Sequence, residues 1–225
     1  MRNLRLVFAL FPLIGASAAD NSLQATLARM DSAAAKYKGM KATITKVQHL
    51  EVMQQNDVET GTVAARRNTP KDLRMLINMA PPNAKQALLS NKVEVYYPKM
   101  NMVEEYELGK AASMKDTLLL LSFGSTSKEM LNAYTVSPGP AETVAGQKTT
   151  RLDLVPKDKQ VAAAFPKIQL WISDDTGVAI QQRMIDKTGD YNQATYTNMT
   201  LGNVTEADVK LNIPPNAKRQ KPLKP

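Results

Sequence analysis

Residues 168–185 read Ile168-Gln169-Leu170-Trp171-Ile172-Ser173-Asp174-Asp175-Thr176-Gly177-Val178-Ala179-Ile180-Gln181-Gln182-Arg183-Met184-Ile185. Ile168, Leu170 and Ile172 alternate with Gln169, Trp171 and Ser173. That period of two is the mark of a strand with one buried face. Asp175-Thr176-Gly177 is hairpin-turn chemistry, and a second apolar-rich strand follows to Ile185. Thr188-Gly189-Asp190 is another such turn, before a strand over 191–201. The unit of this fold is therefore the antiparallel hairpin.

The same unit recurs toward the amino terminus. Asn21 or Ser22 is positioned to cap a helix running to about Tyr37, with Leu23, Leu27, Met30, Ala34 and Tyr37 at 3–4-residue spacing. After Gly39 the period falls to two. Strands are predicted over 42–50 and 58–67, with the turn at Asn56-Asp57. Further strands are predicted over 72–79, 87–90, 93–97 and 102–108. In the first of these, Leu73, Met75, Ile77 and Met79 share a face.

A helical insert interrupts the strands, over 111–122 and 127–133, with Ser113 and Ser127 as candidate caps. Strands resume at Tyr134 and turn at Gly146. A last short strand is expected over 209–213, and the Pro- and Lys-rich end, 214–225, reads as a loose tail. The order implies an α+β protein, mainly β. Its large, strongly curved antiparallel sheet would be covered on one face by the leading helix and the insert. A two-sheet sandwich leaves those amphipathic helices without a surface to cover.

Composition narrows the function. The chain has 225 residues, a formal charge of +8, 43% hydrophobic residues, no cysteine and one histidine. A disulfide framework, a thiolate nucleophile and a multi-histidine metal site are excluded. His49 lies mid-strand among polar residues, and no Gly-x-Ser-x-Gly elbow accompanies it. Asp174-Asp175 and Glu104-Glu105 are sequence neighbours whose side chains point to opposite faces of a strand, so neither makes a catalytic dyad. No catalytic residue, metal site or cofactor is predicted, and no basic-aromatic pattern points to nucleic acid.

Residues 1–18 read as a cleaved secretory signal. Arg2 and Arg5 precede an apolar run over 6–14, and Ala16-Ser17-Ala18 supplies the small-residue cleavage pattern. Loss of both arginines leaves a charge of about +6. Residues 19–225 are read as a single domain.

Four stretches, in order, resemble the LolA-like lipoprotein-carrier family of Gram-negative periplasms. They are Gly61-Thr62-Val63-Ala64-Ala65-Arg66-Arg67, the hairpin over 88–98, Leu152-Asp153-Leu154-Val155-Pro156-Lys157, and the 168–174 strand with Thr176-Gly177; Ile213-Pro214-Pro215 matches as well. Asn68 stands where that family usually has proline, and Lys92 where its hairpin has glycine. The resemblance implies an open, incomplete antiparallel β-barrel with a helical lid, binding acylated lipoprotein or another lipid in its hollow. Cargo would come from an inner-membrane exporter and pass to an outer-membrane acceptor. It also implies that Arg67 bonds helix backbone carbonyls and holds the lid shut when the hollow is empty. Some relatives are instead sensor domains or lipid-binding proteins of unknown cargo, and the alternative reading of this chain is a periplasmic sensor or interaction module that binds a lipidated or misfolded partner to regulate envelope signalling.

Candidate lining residues are those whose chemistry suits a soft apolar pocket. Met75, Ile77 and Met79 share one strand face, and methionine repacks cheaply around different occupants. Leu118-Leu119-Leu120-Leu121 covers every side of a helical turn, so at least one of the four must meet a second surface, such as cargo, a lid seam or a membrane; Leu118, Leu121 and Phe123 are the candidates. Leu170 and Ile172 complete the set. Ordinary core packing accounts for each of these residues equally well. The expected protein is a periplasmic, monomeric carrier.

Overall fold

The computed structural model describes residues 15–69, 72–81, 85–89, 92–106 and 124–221. Helix α1 (Gly15–Lys36) leads into strands β1 (Gly39–Leu50), β2 (Gln55–Thr69), β3 (Asp72–Met79), β4 (Lys85–Leu89), β5 (Val93–Tyr97) and β6 (Met102–Tyr106). Helix α2 (Ser127–Ala133) precedes β7 (Tyr134–Val144) and β8 (Gln147–Pro156). A short helix α3 (Lys159–Ala164) then leads to β9 (Lys167–Ser173), β10 (Ala179–Ile185), β11 (Tyr191–Leu201) and β12 (Lys218–Gln220).

The twelve strands among the described residues form one open sheet in the order β12-β6-β5-β4-β3-β2-β1-β11-β10-β9-β8-β7. It is two meanders, β1–β6 and β7–β11, joined where β1 pairs antiparallel with β11. β6, with β12 beside it, and β7 stand at opposite ends of this order, and residues 107–133 connect them in sequence. α2 lies in the described part of that connection, and Met130 of α2 packs with Leu27 and Met30 of α1 onto Leu152, Leu154, Ile168, Leu170 and Ile172. We call the face that carries α1 and α2 the inner face.

The inner and outer faces follow from the period of two. Along β3, Met75 and Met79 are buried inward, while Leu76 points outward and packs with Tyr96, Val103 and Leu211. Residues 204–217 cover that part of the outer face. Arg66 and Arg74 both reach Glu206 there, at 2.7 and 2.8 Å, and Lys41 reaches Asp208 at 2.7 Å.

Several expected boundaries move. The β1–β2 turn lies at residues 51–54, not at Asn56-Asp57, and Asn56 pairs with His49 inside the ladder. The helix cap expected at Ser127 is Thr126. The strand expected over 209–213 is replaced by a 3-10 turn, Ala207–Val209, and a non-strand segment whose Val209 and Leu211 are buried. The expected loose end contributes β12, which pairs parallel with β6 and makes the sheet mixed. Charge explains that docking: Arg219 bonds both Glu94 and Glu105. At the opposite edge, β7 carries Pro138 and Pro140, which an edge strand tolerates because one side needs no ladder donors. The first half of the insert and residues 1–14 of the expected signal, 1–18, lie outside the described residues. α1 begins at Gly15, ahead of the expected Asn21 or Ser22 cap.

Candidate functional site

The inner face of β1–β4 is an apolar strip. Register places Ala65 opposite Met75, Val63 opposite Ile77, and Gly61 opposite Met79. Leu89 and Ala87 of β4 continue the rows from Met75 and Ile77. Met40, Ala42 and Ile44 of β1 complete the cluster with Ala194 and Tyr196 of β11. Gly61 is required here, since a Cβ on it would lie 2.2 Å from the Asn78 carbonyl oxygen. The structure thus brings Met75, Ile77 and Met79 together on one surface.

Leu170 and Ile172 lie on the same face but in the other meander. Both are buried, in one cluster with Leu27, Met30 and Met130 of the helices. α1 spans the two clusters, with Leu23 and Leu27 over one and Ala33 and Tyr37 over the other. Leu118, Leu121 and Phe123 lie outside the described residues.

Arg67 ends the strip, opposite Leu73. Its side chain is 12% exposed. Nη1 donates to the Gly124 carbonyl, and Nη2 lies 3.6 Å from Glu129 Oε1. Both acceptors belong to the entry of α2. There Thr126 and Glu129 form a reciprocal capping box: Glu129 N donates to Thr126 Oγ1 at 3.2 Å, and Thr126 N donates to Glu129 Oε2 at 2.9 Å. Asp31 of α1 accepts from Ser127 N at 2.7 Å and from Ser127 Oγ at 2.6 Å. α2 is therefore held at its amino end by β2 and by α1. Gly124 has φ +77° and packs on the Tyr37 ring, where a Cβ would come within 2.6 Å. Burial pushes the Tyr37 phenol up, against the opposing Arg67 charge. Arg66, one residue earlier, points outward to Glu206.

The opposite end of the strip is polar. Lys46 follows Ile44 on the inner face and lies opposite Glu59 on one side and Ala194 on the other. With Gln48, Asp57, Lys85 and Asn192 these residues line a pocket. Sequence reading missed Lys46, Asp31 and Glu129. The Thr126-x-x-Glu129 spacing was a legible capping signal; the other two carried none.

His49 is half-buried, stacked on Tyr191 with centroids 4.6 Å apart and bonded to Asn56 and Glu51. Among the described residues no cluster of three or more His, Cys, Asp or Glu could hold a metal, and no helix is long and apolar enough to cross a membrane.

No family model and no curated protein matches the sequence. Solved structures match the fold. An uncharacterized conserved protein from Thermus thermophilus aligns at 13% identity and TM-score 0.56, over 89% of this chain and 99% of that one. MucB aligns at 13% identity and TM-score 0.53, over 88% of this chain and 64% of its own length. A LolA superfamily protein from Nitrosomonas europaea aligns at 11% identity and TM-score 0.42, over 84% of this chain and 97% of that one. The first two show a shared fold. The open twelve-stranded sheet with α1 and α2 packed on one face bears out the expected open β architecture.

Proposed function

We propose that this protein is a periplasmic, non-enzymatic carrier that holds acyl chains of a lipoprotein or another lipid against the inner face of β1–β4. In this role it shuttles them from an inner-membrane exporter to an outer-membrane acceptor. The observation that carries the reading is the Met75-Ile77-Met79 strip, ended by Arg67 and bonded through it to the entry of α2. Such a strip is filled when empty of cargo and adaptable when loaded, because methionine side chains change rotamer at little cost. Each buried methylene of cargo contributes about 0.8 kcal/mol, so a long chain offsets the loss of the Arg67 contacts. No cofactor is needed for this exchange.

Native mass spectrometry of the protein purified from its own cell envelope, with lipid extraction of the same sample, tests the reading. The expected result is a co-purifying acylated species that is lost in Ile77→Asp at unchanged circular dichroism. An apo mass, with no uptake of offered lipoprotein or phospholipid, overturns it. A stable complex with an unacylated protein partner would instead assign the fold to an interaction module.

A further inference from the structure

We propose that the polar pocket at the Lys46 end of the strip is a headgroup site, which takes the anionic end of a single- or multi-chain acyl lipid whose tail lies along Met79 and Ile77. The inference rests on the carrier reading and adds to it the chemical class of the cargo.

Three observations lead there. First, the pocket is continuous with the apolar strip: Lys46 is two residues beyond Ile44 on the same face, and Lys85 lies opposite Met79. Second, the cations and anions do not balance in its inner part. Lys85 Nζ pairs with Glu59 at 3.1 Å. Lys46 is half-buried and, among the described residues, has neither a hydrogen bond nor an ion pair. Burial and the nearby Lys85 charge both lower its pKa, and Glu59 opposes them only in part. Asp57 also lines the pocket, but it sits further out toward the β1–β2 turn and is exposed. Third, Gln182 lies in the same cross-sheet row, opposite Ala194, which is itself opposite Lys46. It does not line the pocket; its Nε2 donates to the Tyr196 hydroxyl at 3.4 Å, and its Oε1 is buried without a donor. An unpaired ammonium lining a pocket at the end of an apolar strip fits a headgroup that brings an anionic oxygen, and Gln182, two strands away, would accept from a hydroxyl or amide donor of a headgroup large enough to reach it. The same chemistry on a tail-less ion would lack the strip.

The test uses cis-parinaric acid, whose fluorescence reports binding, and its methyl ester, which has the same tail and no charge. The expected result is that Lys46→Met weakens binding of the acid about tenfold, the scale of one charge-assisted hydrogen bond, and leaves the ester unchanged. Lys46→Arg should retain the acid. Butyrate, an anion without a tail, should not compete at low millimolar concentration. Equal binding of acid and ester by the wild type, with no change in Lys46→Met, overturns the headgroup site and leaves the carrier reading standing. Loss of both probes in Lys46→Met makes Lys46 a structural residue and also overturns the site. Competition by butyrate at the strength of the acid makes it a free-anion site. Failure of the wild type to bind either probe overturns the carrier reading, and the headgroup site with it.

Discussion

Arg67, on the inner face of β2, donates to the backbone carbonyl of Gly124, 57 residues later in the chain. The bond joins the sheet to the entry of α2, and Glu129 lies 3.6 Å from the same guanidinium. A planar group with five donors serves both acceptors at once, which a lysine ammonium does less well.

Removing that group should loosen α2 without dismantling the sheet. Arg67→Ala is expected to cost about 1–3 kcal/mol, the range for leaving a buried polar group without its partner. Arg67→Lys should recover part of this. Urea denaturation of the two variants beside the wild type measures both, and equal stability of all three would contradict the role assigned to Arg67.

Met130 is fully buried between α1 and the sheet. Met130→Ala is expected to destabilise by about 2–5 kcal/mol through the cavity it leaves. Met130→Leu, which nearly conserves volume, should cost less than about 1.5 kcal/mol. Thermal unfolding followed by circular dichroism would show the difference.

Trp171 is the sole tryptophan and is 2% exposed. Its Nε1 donates to Glu142 Oε2 at 2.8 Å, and the other carboxylate oxygen accepts from Arg151 at 2.8 Å. Glu142→Ala leaves a buried indole N–H without an acceptor, at an expected cost of about 1–3 kcal/mol. Glu142→Gln keeps an acceptor and should cost less. Tryptophan emission reports the site directly, and an unchanged spectrum and stability in Glu142→Ala would show the bond to be dispensable.

Asp208 ties residues 205–208 to β1. Its carboxylate accepts from Lys41 Nζ at 2.7 Å and from the Thr205 amide and hydroxyl at 2.8 and 2.9 Å. The Lys41 bond first, then the Thr205 bonds, lower its pKa from 3.8 to about 2. A carboxyl lowered by folding stabilises the native state fully above its unfolded value. That contribution falls away as the pH drops from 3.8 toward about 2. Carbon-detected NMR titration of Asp208 should find the depressed midpoint, and Asp208→Asn should flatten the stability profile across this window. A midpoint near 3.8 would contradict the contact geometry.

How much was legible in the sequence varied with local chemistry. β3 and β11 match their expected ranges because alternation and flanking turn residues agree there. The β1–β2 turn was misplaced because Asn56-Asp57 has turn chemistry, whereas the actual turn, Glu51-Val52-Met53-Gln54, has almost none. The positive φ of 50° at Gln54 is a cost the long flanking ladder bears. α3 has only six residues, too few for a helical period, although Asp158 before an alanine run was a readable cap. β12 depends on Glu94 and Glu105 meeting Arg219 across more than a hundred residues, which no local pattern encodes. For the site, alternation placed Met75, Ile77 and Met79 on one face. It did not show that Leu170 and Ile172 belong to a separate helix-covered cluster, since both halves of the sheet share the same period. Lys46 stood out only once the strand register had aligned it with Glu59 and the pocket.

The most direct test of the account is methyl NMR of the protein labelled at the methionine methyl carbons, titrated with lauric acid. The account predicts that the Met75 and Met79 signals shift with saturation, while those of Met30 and Met130, beneath the helices over the other half of the sheet, move far less. Movement of Met30 and Met130 with Met75 and Met79 unchanged, or no movement at any of the four, would contradict it.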